Sequence, residues 1–332
     1  MDLDVVFLGT AGSAPTAGRG LPATLVRRGG ERMLFDCGEG TQRQLLRSVG
    51  LIDLEEIFLT HFHADHFLGL PGMLKTFGLR GRETRLTIYG PPGLRALFAV
   101  LQPVIGGTAY EVELVELEPN VPLERDGYLL APFNVAHRTA AYGYALVEHD
   151  RPGRFDEERA RELGVTPGPD FGRLQRGEPV SADGREVLPE EVLGDPRRGR
   201  KVVIAGDTAP FEGTRAVAHA ADLLVHEATF TTEEAERAAE TGHSTARGAA
   251  ELAAAAEVKL LALNHVSPRH GPEELRAEAR EVFDATVVPR DFDRVEIPFP
   301  ERGEPLHVKT RRGGGPPGSH VRDPGTSEDA EP

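Results

Sequence analysis

THFHADHF, residues 60–67, sets His61, His63, Asp65 and His66 within six consecutive positions, directly after the apolar run Ile57-Phe58-Leu59. Ligand-type side chains packed this closely in an apolar setting are costly to leave unpaired, whereas a bound cation satisfies them. On a turn leaving a strand, His61 and His63 can face one ion while Asp65 and His66 face a second. The competing reading is a solvated histidine-rich turn. Against it, ligand-type residues recur at strand ends: His137 closes YLLAPFNVAH, Asp207 closes KVVIAGD and His265 closes KLLALNH. Any one of these alone would read as a cap or a satisfied core residue. Together with the motif they supply enough ligands for two zinc-type ions sharing one carboxylate. Asp207 is the natural bridge, because a carboxylate has two oxygens and an imidazole does not easily span two cations.

Around these positions short strands alternate with helices. LDVVFLG (3–9), RMLFD (32–36), EIFLT (56–60), RLTIY (85–89), YEVELVEL (110–117), YLLAPFNV (128–135), YGYALVE (142–148), KVVIAGD (201–207), DLLVHE (222–227) and KLLALNH (259–265) read as strands. TQRQLLRSV, HFLGLPGMLKTF, PGLRALFAVL, TTEEAERAAE, STARGAAELAAAAE and PEELRAEAREVF read as helices. The class is α/β. The first half is richer in consecutive strands, which fits stacked sheets with helices outside better than one doubly wound sheet. Residues 150–200 are rich in Pro, Gly and charge with little apolar periodicity, too long for an ordinary loop, and so a functional insertion or a disordered segment. From Pro300 the composition degrades into a tail, and 301–332 is expected to be disordered.

The chain of 332 residues carries a net charge of −15, and only Lys75, Lys201, Lys259 and Lys309 are lysine among its 38 basic residues. This resembles the acidic proteins of halophiles, and a halophilic archaeon is the expected source; at molar salt the Debye length is about 3 Å, and net charge then says little about partners. No apolar run approaches the roughly 20 residues of a membrane span, and the lone Cys37 excludes an internal disulfide or a thiolate-rich site. A cytoplasmic protein is expected, with no membrane partner.

H-x-H-x-D-H followed by distant His, Asp and His resembles the ligand pattern of the metallo-β-lactamase superfamily. LGTAGSAPTAGRG, LFDCGEGTQRQLL (34–46), GVTPGP (164–169), AGDTAP (205–210), HEATF (226–230), HSTA (243–246) and NHVSPRH (264–270) are together similar to the ribonuclease Z family, the tRNA 3′-processing endonucleases. The resemblance implies a four-layer αβ/βα sandwich over residues 1–300 and a flexible exosite arm inserted at about 150–200 that grips tRNA. It implies precursor tRNA as substrate, a homodimer and two zinc ions per subunit. One ion would be held by His61, His63 and His137, the other by Asp65, His66 and His265, with Asp207 between them. It further implies Asp65 as proton acceptor, His243 as proton donor to the leaving oxygen, and Glu227 as the residue that orients His243. Candidate tRNA contacts are Gly164, Pro167, Gly168, Pro169, Arg173 and Arg176 in the arm and Arg19 in the N-terminal loop. In that loop, which the family associates with sensing the mature 3′ end, Ala17 and Gly20 depart from the basic residue and asparagine common in the family. Residues 151–201 balance eleven basic against eleven acidic residues, so the whole negative excess lies outside the insertion. A broader phosphodiesterase or single-strand nuclease is the alternative within the same chemistry, and a non-catalytic RNA-binding protein the alternative outside it.

Overall fold

Along Leu3–Gly9 the apolar side chains go to two destinations. Leu3, Val5 and Phe7 join a buried cluster with Tyr128, Tyr144, Val202 and Val225, whereas Val6 and Leu8 join another with Leu45, Leu70, Met73 and Phe98. Successive strand residues point to opposite faces, so this strand lies in a sheet covered on both sides. The computed structural model describes residues 2–51 and 54–310 and shows what does the covering.

Among the described residues, an eight-stranded sheet runs in the order Leu306–Val308, Arg294–Glu296, Leu3–Gly9, Ala23–Arg28, Glu31–Phe35, Glu56–Phe58, Leu86–Gly90 and Val112–Glu116. A seven-stranded sheet runs Thr286–Val287, Leu260–Asn264, Leu223–Glu227, Lys201–Ile204, Tyr142–Glu148, Tyr128–Asn134 and Leu123–Arg125. Their inner faces enclose one apolar core. Helices Thr41–Arg47, Gly69–Leu79 and Leu94–Ile105 bury their apolar sides on the outer face of the first sheet. Glu212–Ala218, Ala246–Ala255 and Pro272–Arg280 do the same on the second, which gives the four layers expected from the sequence. No described helix is long and apolar enough to cross a membrane. Within the core Phe58 stacks on Phe35 and on Tyr89 at centroid distances of 5.1 and 4.7 Å. Such pairs add about 0.5–1.5 kcal/mol beyond burial and stiffen the strand that leads into THFHADHF.

Strand Ala23–Arg28 escapes a periodicity reading because Arg27 and Arg28 end it. Arg28 is nonetheless buried, with Glu148 and Glu31 each at 2.9 Å. Glu148 also holds Arg200, which is 1% exposed and places Nε and Nη2 each 2.7 Å from the carboxylate. Arg200→Met is expected to strand that buried charge with Arg28 alone, lowering stability by about 3 kcal/mol, the lower end for a broken buried pair. Urea denaturation measures it, and a loss under about 1 kcal/mol would contradict the assignment.

Of the two readings left open for residues 150–200 the structure removes the disordered one, and the expectation of a tail from 301 onward is corrected. The insertion is not a structureless stretch: helices Glu157–Glu162 and Pro169–Gln175, the hairpin Val180–Ala182 with Arg185–Val187, and the turn Pro189–Glu191 surround a small core of their own. Ala160, Leu163, Val165, Phe171, Leu174, Val180, Val187 and Val192 form that core. They come from segments too short to show a period and meet only in three dimensions. Residues 301–310 are likewise not tail: Leu306–Val308 pairs with Arg294–Glu296, and Asp293 lies 3.0 Å from His307 and accepts from the Thr310 amide at 2.9 Å. A three-residue edge strand carries too little pattern to be read locally. The remainder of the expected tail, 311–332, lies outside the described residues.

Candidate metal centre

The turn carrying the opening motif is pinned from both sheets. The Leu59 amide donates to the Tyr89 carbonyl at 2.8 Å, the Tyr144 hydroxyl donates to the Leu59 carbonyl at 2.7 Å, and the Tyr142 amide donates to the Thr60 carbonyl at 2.9 Å. His63 then caps the short helix Ala64–Phe67, whose first turn holds Asp65 and His66. Opposite, Lys201–Ile204 ends in a turn at Gly206, where φ is +66°, and delivers Asp207 beside Thr60. Leu260–Asn264 delivers His265, itself at φ +56°. Left-handed backbone at a non-glycine residue costs about 1–3 kcal/mol and persists only where its surroundings fix it. Here Gly12 packs so closely that a Cβ on it would stand 2.4 Å from His265 Nδ1. Ligands gathered beyond the carboxyl ends of parallel strands are where open α/β sheets place their sites.

The side chains meet in two adjoining groups. In one, His61, His63, His137 and Asp207 bring ligand atoms within 4.8 Å of one another; in the other, Asp65, His66 and His265 do so. His63 Nδ1 lies 2.9 Å from His61 Nε2 and 3.3 Å from His137 Nε2. Asp207 stands between the groups, Oδ1 3.3 Å from His66 Nε2 and Oδ2 3.3 Å from His265 Nε2 and 3.8 Å from His61 Nε2. Asp65 Oδ2 lies 3.3 Å from His265 Nε2 and 3.6 Å from His66 Nε2, and accepts from the Ser13 amide at 2.9 Å.

A divalent cation fits this arrangement. The outer ring nitrogens are held at Thr60 Oγ1 for His61 (3.0 Å), Asp36 Oδ2 for His66 (2.7 Å), the Gly242 carbonyl for His137 (3.0 Å) and Thr229 Oγ1 for His265 (2.8 Å). Each hold turns the other nitrogen inward and fixes the ring, as outer partners of ligating histidines do. His66 Nε2 is buried without a hydrogen-bond partner. Burial, helped by His66, pushes His61 down to about 2, leaving a neutral imidazole with a free lone pair. Burial opposes charge on His66, but Asp207 and Asp36 outweigh it and raise its pKa; the field that retains a proton there favours a cation.

Beside the cluster, Glu227 is a buried carboxylate satisfied on both oxygens. Oε1 accepts from the Thr208 amide at 3.0 Å and lies 2.7 Å from His243 Nδ1; Oε2 accepts from the Thr229 amide and hydroxyl at 3.2 and 2.6 Å. Burial disfavours the charged form of His243, yet Glu227 reverses this and raises it to about 9, so His243 is protonated at neutral pH. His243 also falls in a third potential ligand group with Asp207 and His265. Because its Nδ1 is 2.7 Å from Glu227 and 3.9 Å from Asp207, it is better placed to handle a proton than a metal. His226 belongs on the opposite face of its strand from Glu227 and is fully buried.

None of the tRNA candidates belongs to these ligand groups. Gly164, at φ +81°, and Pro167, Gly168 and Pro169 form the loop and first turn of the arm helix Pro169–Gln175. Arg173 and Arg176 are exposed and both pair with Glu178, at 3.2 and 3.3 Å. Arg19 turns inward, donating to Thr10 Oγ1 at 2.6 Å and to the Pro289 carbonyl at 2.9 Å, so it shapes its loop from within. Gly20 is packed against Gln44 and Asp291. Sequence reasoning missed Asp36, Thr60, Thr208 and Thr229, which hold the cluster from behind. Asp36 closes a strand inside LFDCGEG, and Thr229 lies in HEATF, so position was the available signal.

A model of the metallo-β-lactamase superfamily matches residues 18–170. The "Crystal structure of the metallo-beta-lactamase fold protein YhfI from Bacillus subtilis" matches with a TM-score of 0.66 at 20% identity, covering 90% of this chain and 100% of that one, a likeness of fold. The short form of human tRNase Z matches at 0.62 and 28% identity, covering 90% and 99%. Among curated proteins, ribonuclease Z of Haloferax volcanii is 50% identical over 305 residues, 90% of this chain and 96% of that protein. Ribonuclease Z of Methanosarcina acetivorans is 46% identical over 302 residues, 90% and 99% of the two chains. With the fold, the ligand cluster and near full-length identity of this order in agreement, the chain belongs to the ribonuclease Z family of the metallo-β-lactamase superfamily.

Proposed function

We propose that the chain is a zinc-dependent endoribonuclease, acting in the cytoplasm as a homodimer, that cuts the 3′ trailer from precursor tRNA. The observation that carries the metal chemistry is the double His/Asp cluster divided by Asp207. Near full-length identity with ribonuclease Z proteins supports the substrate. Two zinc ions, held by His61, His63 and His137 and by Asp65, His66 and His265 with Asp207 shared, would neutralise phosphoryl charge and acidify the attacking water.

The protein's own groups handle the protons. Asp65 is held ionised by His265 and His66 against the effect of burial, and accepts the proton released as the water oxygen bonds to phosphorus. The bond from phosphorus to the tRNA 3′ oxygen breaks, and His243 gives that oxygen its proton. The products are a tRNA 3′-hydroxyl and a trailer with a 5′-phosphate. Glu227 keeps His243 charged and fixes its ring.

Incubation with a 3′-extended precursor tRNA in molar potassium chloride tests this reading; no cut near the discriminator base sinks it. A sharper measurement concerns the leaving group. His243→Ala is expected to lower precursor cleavage by about 10²–10⁴-fold, the range for a general acid, and to spare bis(p-nitrophenyl) phosphate, whose nitrophenolate departs without a proton. Equal losses on both substrates would remove His243 from that role. For the homodimer, helix Leu94–Ile105 offers support: Val100 and Val104 are 76% and 77% exposed and Leu79 nearby in the same outer layer is 89% exposed. Sedimentation velocity should give twice the chain mass; a monomer at micromolar concentration would end that part of the reading.

A further inference from the structure

The arm joins the body through a narrow neck. Arg151 and Arg197 face each other there and exchange both backbone hydrogen bonds at 2.8 Å. Just beyond, Gly153 lies against Gly194, so close that a Cβ on Gly153 would stand 1.9 Å from the Gly194 carbonyl oxygen. At that level the strands touch backbone to backbone, and Arg197 Nε ties them across by donating to the Pro152 carbonyl at 2.9 Å; the direction of the neck relative to the body depends further on what packs on it from outside.

That packing comes from the C-terminal segment. Glu301 reaches both strands of the neck, Oε2 2.9 Å from Arg151 Nη2 and Oε1 3.5 Å from Arg197 Nη1. The Phe299 ring takes the Arg151 guanidinium at 3.5 Å from its centroid and that of Arg200 at 4.0 Å. Arg200 is rooted in the body through Glu148 and by donating to the Ile297 carbonyl at 3.0 Å. One carboxylate therefore bridges the two neck strands, and one aromatic ring couples the neck to the buried ion pair of the sheet. Contacts between guanidinium and aromatic ring strengthen when shielded from water, and a carboxylate shared by two arginines fixes an angle as well as a distance.

We propose that Phe299 and Glu301 are positioning residues that latch the arm in a fixed direction relative to the catalytic cluster, so that the C-terminal segment sets how tightly precursor tRNA is held. This rests on the arm being the tRNA-gripping part of the enzyme. The latch acts on substrate capture and leaves the reacting atoms alone.

The test uses the full-length protein with Phe299→Ala, Glu301→Gln and the conservative Phe299→Tyr. For the first two, KM for precursor tRNA should rise about three- to tenfold, with kcat and bis(p-nitrophenyl) phosphate turnover unchanged. Hydrogen exchange in peptides covering 149–153 and 194–198 should accelerate, and Phe299→Tyr should restore both. Unchanged exchange at the neck, unchanged KM, or a parallel fall in diester turnover would each overturn the latch. An enzyme whose arm is replaced by a tight turn separates the two readings. If that protein binds precursor normally, the arm reading fails; if it is impaired while the latch variants behave as wild type, the latch alone fails.

Discussion

Asp207→Ala is expected to abolish precursor cleavage to below about one part in 10³ and to lower the divalent-metal content measured on the purified protein. The carboxylate is 3% exposed and faces His61, His66 and His265 at once. Burial works against its charge, but His265 and His66 outweigh burial and hold its pKa well below the usual carboxylate range. Its removal deprives both ligand groups of the shared anion. Metal-derived stabilisation of the transition state is worth several kcal/mol, and each 1.36 kcal/mol is about a factor of ten in rate; three decades is therefore a modest expectation. A variant with full metal content and more than about a tenth of the wild-type rate would show that Asp207 is not the bridge.

Replacing Pro152–Pro196 with Asn-Gly is the second large effect. Arg151 and Arg197 are a hydrogen-bonded pair, the geometry that a two-residue hairpin closes without strain. The arm keeps its own core, so its loss opens no cavity in the body. If two guanidinium–phosphate contacts go with it, at about 1.5 kcal/mol each, KM for precursor tRNA should rise about a hundredfold. Turnover of bis(p-nitrophenyl) phosphate should stay within about twofold, since the catalytic cluster is untouched. The arginines are available for such exchange: Arg173 and Arg176 sit in exposed pairs with Glu178, and exposed pairs are held by only about 0–1 kcal/mol. Parallel loss on both substrates would mean that the arm supports the fold and does not select the substrate.

What could be read from the sequence follows from how local each signal is. His61, His63, Asp65 and His66 are adjacent, and His137, Asp207 and His265 each follow a strand long enough to show its pattern, so the cluster could be assembled before any coordinates. Asp36, Thr60 and Thr229 could not, because a residue that holds a ligand's far nitrogen is chosen by where it sits and carries no chemical signature. Arg19 was singled out by the family's loop motif, which carries no geometry; the fold adds that its guanidinium donates to Thr10 and Pro289. The same contrast divides the secondary structure. Leu3–Gly9 and Tyr142–Glu148 announce themselves over seven residues, while Leu306–Val308 and the hairpin of the arm are strands only because a partner strand lies beside them.

The ligands are divided between the halves of the sandwich. His61, His63, Asp65 and His66 follow a strand of the first sheet; His137, Asp207 and His265 follow strands of the second. An ion held by such a set is a cross-link as well as a reagent, binding the folded chain and having no equivalent site in the unfolded one. Free metal at a hundred times its dissociation constant would then add about 2.7 kcal/mol to the folding equilibrium for each such site. With metal bound, the catalytic edge of this protein would thus also clasp its two sheets, and the metal concentration would shift the fraction of chains that are folded.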